Sequence, residues 1–255
     1  MKSWRTSASS LARHCRRQVV HLAEQVAEFA EELQQTLEGV LPGEFRITSM
    51  QAQNAQRFII RVEDSSTQDR VRIPLLVDGE PLAELSITEH LGLDRTATHL
   101  KTVKSDLRVF SRLERTPLLR LEYQHDMRSA PIAHWQVHAE RGAFSHLLTR
   151  ANHHRSTSAR KPNALSSLHL PVGGERFRPC IEDMLQFLVA DCGVDSKPGW
   201  QNVVEHGREA WRRRQLASSV RDIPAEAARV LHDLGWTVTA PPRLPEENLA
   251  PLTTW

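Results

Sequence analysis

Residues 70–88 read RVRIPLLVDGEPLAELSIT and carry a strong β-hairpin signal. Two apolar, strand-like segments flank Asp78-Gly79, and an Asp-Gly pair is typical of the tight turn between antiparallel strands. Similar short segments, rich in β-branched and apolar residues, lie on both sides of this hairpin. The predicted strands cover residues 45–50, 57–63, 70–77, 82–88, 106–113, 117–124, 132–139 and 168–172.

The connections between these strands favour an antiparallel meander over residues 45–140. Most of them are too short for the helical crossover, of about a dozen residues or more, that parallel neighbours require. Residues 90–104 are ambiguous between helix and strand. We therefore expect an antiparallel sheet of about six or seven strands.

A long helix is predicted at residues 10–41, where apolar residues recur at alternating steps of three and four. Gly39 and Pro42-Gly43 supply the stop. Alanines between the larger residues widen the apolar stripe, which favours docking on the protein's own core. Self-association through a coiled-coil seam is the alternative. The larger residues of the stripe are Val19, Leu22, Val26, Phe29 and Leu33.

After residue 140 the pattern is mainly helical. Helices are predicted at residues 143–150, 179–192, 198–220 and 224–234, with a basic loop at 152–167 and a short strand at 236–239. This order of elements predicts an α+β fold in which the N-terminal helix and the helix at 179–192 cover the sheet. The predicted organisation is an α+β core domain at 1–193, a helical extension at 194–240 and an irregular tail at 241–255.

Composition bounds the class of protein. The 255 residues carry a formal net charge of +2, which is too small for a whole-molecule argument about nucleic acid. The three cysteines are widely spaced and indicate reduced thiols rather than disulfides or a four-thiolate zinc site. No apolar run approaches the roughly 20 residues of a membrane span. We therefore expect a cytoplasmic protein with no membrane contact and no cofactor.

A cluster of histidines is the main candidate site. Alternation along a strand at 132–139 sends His134, Gln136 and His138 to one face of the sheet. Trp135 and Val137 point to the other face and are expected to pack in the core. The sequence thus predicts that His134 and His138 open to a cleft.

A third histidine, His169, lies between two leucines in the strand predicted at 168–172. If this strand neighbours the one at 132–139, three imidazoles converge on one face. Arg141, Arg176 and Arg178 are the nearest candidates for holding an anion. For each histidine taken by itself, a structural, hydrogen-bonded role is the alternative.

Two kinds of chemistry fit the three histidines. In the first, one imidazole is a general base and another a general acid, and an arginine holds the phosphate, as metal-independent RNA cleavage requires. In the second, the imidazoles bind a divalent metal such as zinc. Strand geometry disfavours the metal, because His134 and His138 are roughly 13 Å apart at about 3.3 Å per residue. The first reading is preferred, and either one requires His169.

The predicted helix at 198–220 has a strongly basic face. Such a face attracts polyanions, but it equally fits the acidic N-terminal helix of the same or a neighbouring subunit. RNA, a protein partner, or a second copy bound through either helix are the expected partners, and a solvated face is the remaining alternative. The basic residues are Arg208, Arg212, Arg213, Arg214 and Arg221.

The segment from His134 to His138, the run Leu-His-Leu-Pro-Val-Gly-Gly at 168–174 and the helix at 180–192 together resemble a known arrangement. They are similar to the histidine strand, glycine turn and helix of small TumE-type toxins of bacterial toxin–antitoxin operons. The resemblance covers residues 118–193 and implies a ribonuclease that is paired with a helix-turn-helix antitoxin. The long N-terminal helix, the meander, the basic loop and the C-terminal extension depart from that pattern.

The leading expectation for function is RNA cleavage or RNA binding within a bacterial toxin or defence-type system. The first alternative is a non-catalytic interaction protein, in which the sheet is a scaffold and the helices bind a partner. A metal-dependent hydrolase is the second. The Gly173-Gly174 pair lacks the spacing of a nucleotide-binding loop and is expected to form a turn.

Overall fold

The computed structural model describes residues 4–52, 56–64, 66–138 and 170–254, and their side chains from residue 21 onward except that of Pro171. The helix predicted at 143–150 and the basic loop predicted at 152–167 lie outside these residues. The helices are α1 (Trp4–Val40), α2 (Ile181–Ala190), α3 (Trp200–Asp222), α4 (Pro224–Asp233) and α5 (Ala250–Thr253). The strands are β1 (Arg46–Gln51), β2 (Phe58–Glu63), β3 (Ile73–Val77), β4 (Glu80–Leu93), β5 (Leu100–Ser111), β6 (Pro117–Gln124), β7 (Ala133–Val137) and β8 (Leu170–Pro171).

The strands form one antiparallel sheet, and the predicted α+β class is confirmed. Strand order along the sheet is β1-β2-β4-β5-β6-β7-β8, and β3 pairs with β4. The strand β2 pairs with residues 88–91 of β4, and β3 pairs with residues 80–85. Since β5 pairs with residues 83–93 along the opposite edge of β4, β2 and β3 share one edge of that long strand.

The predicted hairpin at 70–88 is present as β3 and β4. Asp78 and Gly79 have φ of 52° and 80°, the left-handed conformation that a type I′ turn requires at both central positions. The carboxylate of Asp195 accepts hydrogen bonds from both of their backbone amides, at 3.1 and 2.8 Å. The turn is therefore held by a distant residue as well as by its own sequence.

The ambiguous segment 90–104 forms a second hairpin. Strand β4 continues to Leu93 and β5 begins at Leu100. The carboxylate of Asp94 accepts hydrogen bonds from the backbone amides of Thr96 and Thr98, each at 3.1 Å, and closes the turn. The strands are thus longer than predicted, and this hairpin forms one wall of a cavity.

Helices cover one face of the sheet. On α1, Val26, Leu33 and Leu37 are buried and Phe29 is partly buried against the same core. The part of the stripe from Val26 to Leu37 therefore docks on the protein's own core, as predicted. The sheet and α2 contribute further buried residues to this core, among them Ile60, Leu85, Ile87, Leu107, Leu121, Met184 and Leu185.

Helix α3 packs against α1 at a point where Gly39 leaves room for it. A Cβ atom on Gly39 would lie 3.0 Å from both methyl groups of Val203, so a larger side chain would push the two helices apart. About three turns further along α3, Arg214 forms an ion pair with Glu32 of α1. The basic helix thus meets the acidic N-terminal helix of the same chain.

The C-terminal part packs less closely. Helix α4 has no buried residue. The prediction of a strand at 236–239 is wrong. The backbone amide of Trp236 donates to the carbonyl oxygen of Leu231 at 3.0 Å, in the turn that ends α4, and the residues after it are irregular. The predicted tail is irregular apart from α5. Within the described part of the chain, no helix is both long and apolar enough to span a membrane.

Candidate functional site

His134 lies inside the sheet rather than in a cleft. It is 1% exposed, its Nδ1 donates to the carbonyl oxygen of Pro131 at 2.8 Å, and its Nε2 lies 3.5 Å from Glu122 Oε2. Glu122 is its register partner on β6. The expectation that His134 opens to a cleft is therefore wrong, because cross-strand pairing draws this ring into a buried polar contact.

Glu122 belongs to a ladder of charged residues on the face opposite the helices, which we call the polar face. Arg108 donates to Asp106 through Nε at 2.5 Å and to Glu122 through Nη2 at 3.3 Å. The hydrogen bond from His134, helped by the charges of Arg120 and Arg108 and opposed by burial, lowers the pKa of Glu122 to about 2. The charges of Asp106, Arg108 and Glu122 are therefore paired with one another.

The rest of β7 and His138, which follows it, keep the predicted alternation only in part. His138 is partly buried, and burial, together with the charge of Arg120, lowers its pKa. Trp135 packs against the core, with its ring centroid 6.4 Å from that of Phe187. Val137 was expected in the core, but as the last residue of β7 it is 45% exposed. Two predicted site residues, His169 and Arg141, lie outside the described residues.

Arg176 and Arg178 lie on the opposite side of the sheet from His134. The predicted turn is present at Gly173 and Gly174, whose φ values are 60° and 58°. A Cβ on Gly173 would lie 2.3 Å from the carbonyl oxygen of Phe177, so only glycine fits there. The residues that follow this turn lie on the helix-covered side of the sheet. The structure therefore does not bring His134 and His138 together with these two arginines.

Arg178 is held between two aromatic rings. Its guanidinium carbon lies 3.9 Å from the ring centroid of Tyr123 and 4.8 Å from that of Trp211. Tyr123 follows Glu122 on β6, and successive strand residues point to opposite faces. Strand alternation thus explains why the polar face and the Arg178 environment are separated by the sheet itself.

A network of paired charges lies beside Arg178. The carboxylate of Glu175 contacts His125 Nδ1 at 3.0 Å, Arg176 Nη1 at 3.0 Å and Lys101 Nζ at 3.7 Å. Burial opposes ionisation, but the His125 hydrogen bond and the charges of Arg176 and Lys101 lower the pKa of Glu175 to about 2. Arg176 also donates to Asp222 at 2.7 Å.

Two cavities meet at Arg178. One, of about 560 Å³, lies between α1, the β4–β5 hairpin, α3 and the C-terminal segment. The other, of about 540 Å³, lies between α1, α3 and the sheet. Glu89 lines the second cavity, where Ser105 donates to it at 2.6 Å and where burial raises its pKa to about 7. Phe29, Arg178 and Trp211 line both cavities.

A shallow groove runs along the outer side of α3, which we call the α3 groove. It is lined by the 176–179 segment and by one side of the helix. Phe177 stands in it 69% exposed. Five arginines and three carboxylates line it: Arg176, Arg178, Arg208, Arg212, Arg213, Asp183, Glu205 and Glu209.

Several residues of these sites were not predicted. Tyr123 and His125 lie together at the end of β6, but Glu175 and Trp211 come from two distant parts of the chain, and no local pattern joins the three regions. Glu89 did carry a signal, since alternation in the run from Ile87 to Leu91 places it on an otherwise apolar face. No group of three or more histidine, cysteine or carboxylate side chains suited to a metal occurs in the part of the chain that the structure describes.

Comparison of the chain with protein-family models, with curated proteins and with solved structures gave no match. The resemblance to TumE-type toxins therefore stays a prediction. The geometry of the described residues supports three features: a paired polar face, a pair of cavities around Arg178, and the α3 groove.

Proposed function

We propose that this protein binds RNA in single-stranded form along the α3 groove. The observation that carries the proposal is the exposed Phe177 ring, which stands in the same groove as Arg212 and Arg213. Aromatic faces stack on unpaired bases, and arginine side chains contact the phosphates between them. The two kinds of contact together are what an unpaired nucleic acid strand requires.

The charge of the groove supports this proposal. Arg208 donates to Asp183 at 2.8 Å, and Arg213 lies 2.7 Å from Glu209, so these pairs largely neutralise one another. The side chain of Arg212 is 69% exposed and lies 3.9 Å from the shared Asp183. Arginines outnumber carboxylates in the groove, which gives a net positive surface next to an exposed ring.

RNA cleavage and a toxin or defence context stay predictions. His134 and His138 lie on the far side of the sheet from the α3 groove, and His169 lies outside the described residues. A general acid and base pair beside the groove is therefore not part of the proposal. The prediction of RNA cleavage is tested separately, by incubating the protein with a mixed RNA pool with and without chelator. If His169 is a general acid or base, His169→Ala should lower the cleavage rate by about 100-fold.

Fluorescence anisotropy with a short, unstructured RNA tests the binding proposal. Phe177→Ala removes one stacking platform and should weaken binding by roughly 5- to 100-fold. Arg212→Gln should weaken it less and lower the slope of log affinity against log salt by about 0.7, measured between about 50 and 200 mM salt.

Arg229→Gln is the matched control, since Arg229 is an exposed arginine of α4 outside the groove that pairs with Glu226 and Asp233. It should bind RNA as the wild type does. Equal losses in Arg212→Gln and Arg229→Gln would indicate a diffuse charge effect. Absence of binding by the wild type would refute the proposal.

A second candidate function, binding to a protein, is favoured by one observation. Apolar side chains are exposed along α4 and the segment after it, and such a patch is typical of an interaction surface. Light scattering of the full chain and of Leu234→Glu tests whether the partner is a second copy of the chain. In that case the wild type should have the mass of a dimer and the variant that of a monomer. The exposed residues are Val230, Leu231, Leu234, Trp236 and Val238.

A further inference from the structure

Arg178 is a buried cation without a carboxylate partner. Arg178 is 8% exposed. Within the described residues it makes one hydrogen bond, in which Nη1 donates to the backbone oxygen of Glu175 at 2.5 Å. A guanidinium group has five N–H donors and stays charged at any ordinary pH. Burying such a charge without an anion costs several kcal/mol. The site is therefore electrostatically incomplete.

Neighbouring carboxylates do not complete it. Glu175 is occupied by His125, Lys101 and Arg176. Glu89 accepts a hydrogen bond from Ser105 and forms no ion pair with Arg178 within the described residues. Burial shifts the ionisation of Glu89 toward its neutral form, so it compensates the guanidinium only partly near neutral pH.

The space around Arg178 suits a small molecule. The two cavities that it lines hold about 560 and 540 Å³, within the usual range for ligand sites. Phe29 and Trp211 line both and supply apolar surface. Lys101 and Arg214 also line the first cavity, but each already pairs with a carboxylate. Arg95 and Arg221 line it too, as exposed side chains without a carboxylate partner within the described residues. Arg178 is thus a buried cation of these cavities that has N–H donors left for a ligand.

We propose that the paired cavities bind a small organic anion, whose carboxylate or phosphate group is held by Arg178 and whose apolar part packs against Phe29 and Trp211. Guanidinium binds both kinds of oxyanion through two parallel hydrogen bonds. The α3 groove shares Arg178 and Trp211 with the two cavities, but Phe177 and Arg212 line the groove alone, so variants at these two residues test RNA binding separately.

Thermal unfolding of the full chain tests this proposal with two probes, inorganic phosphate and acetate, each compared with chloride at equal ionic strength. A probe that binds the folded protein raises the unfolding temperature, by roughly 2–4 °C for each kcal/mol of binding at a chain of this size. A rise with phosphate alone identifies a phosphoryl ligand, and a rise with acetate alone identifies a carboxylate ligand. Absence of any rise over chloride overturns the proposal.

Two variants assign the effect to Arg178. Arg178→Met should abolish the rise, and Arg178→Lys, which keeps the charge but loses the planar pair of donors, should weaken binding of the probe by at least about fivefold. The lysine variant decides the question if the methionine variant does not fold. Arg212→Gln should keep the full rise while losing RNA affinity, so the two proposals fail separately. A rise that persists in both Arg178 variants also overturns the assignment.

Discussion

The arginines on the two faces of the sheet have opposite kinds of surroundings. On the polar face, Arg108 lies between Asp106 and Glu122 and donates to both. On the helix-covered face, Arg178 is more deeply buried, yet it contacts aromatic rings and one backbone oxygen instead of a carboxylate. Charges that are paired with each other need no bound ion or ligand to neutralise them. The difference teaches that burial and pairing do not go together in this sheet, because the more deeply buried arginine is the one without a carboxylate partner.

The apolar packing of the two faces differs most, and Leu37→Ala should show the largest effect. Leu37 is fully buried between α1 and the sheet, so the truncation leaves a cavity and should cost about 3 kcal/mol of unfolding free energy. Leu118→Ala makes the same chemical change at an exposed residue next to the polar-face ladder, and should cost less than about 0.5 kcal/mol. Urea denaturation measures both. Similar losses would contradict the one-sided helix layer.

Arg108→Met should have the next largest effect. Removing this arginine leaves the buried carboxylate of Asp106 beside Glu122 without a cation between them. Because a third of the Arg108 side chain is exposed, the cost is discounted to about 2 kcal/mol. Arg229→Met, at an exposed ion pair of α4, should change stability by at most about 0.5 kcal/mol in the same denaturation experiment.

Glu89→Gln should stabilise the protein in alkaline solution. The folded-state pKa of Glu89 is raised from 4.5 to about 7, mainly by burial, with the charge of Asp106 in the same direction and Ser105 and Arg178 opposing. Folded protein thus holds a proton that unfolded protein releases, so stability falls as pH rises from 4.5 to about 7 and is level above it.

Glutamine mimics the protonated carboxyl group and still accepts from Ser105. The variant should therefore gain about 1–2 kcal/mol at about pH 8 and nothing at about pH 4. Denaturation at the two pH values measures the difference. A gain of equal size at both would mean that the charge of Glu89 is not responsible.

Arg178→Met should have the smallest effect on stability, within about 1 kcal/mol of zero, when no anion is added. A linear apolar side chain keeps the packing between Tyr123 and Trp211 and removes an uncompensated buried charge. The comparison with Arg108→Met is direct, since the more buried arginine is expected to matter less. A loss of several kcal/mol in Arg178→Met would show that the protein itself already neutralises this charge.

Much of the sheet could be predicted from the sequence, because strand alternation and turn chemistry are local. The strand at 117–124 has its predicted bounds, and the Asp78-Gly79 turn has the conformation that its residues favour. The segment 90–104 was ambiguous because its turn depends on the Asp94 side chain rather than on glycine or proline. The strand expected at 236–239 failed because helix-ending hydrogen bonds decide that segment.

The candidate site was less predictable, for a physical reason. Alternation correctly placed His134 on the face opposite Trp135, but it could not tell which face stays open. Burial of His134 depends on its cross-strand partner Glu122. The environment of Arg178 depends on Tyr123 and Trp211, which are far from it in sequence, and on the turn at Gly173. Such long-range contacts produce no periodic pattern in the sequence.

The crossing of α1 and α3 has a consequence for the order of folding. Glu32 and Arg214 are 182 residues apart in sequence, and Gly39 and Val203 meet over a similar span. Contacts of such high sequence separation form slowly, because the chain must close a very long loop first. During synthesis the sheet can cover part of the apolar stripe of α1, but the surface around Gly39 that α3 contacts stays exposed to aggregation or to a chaperone until α3 emerges.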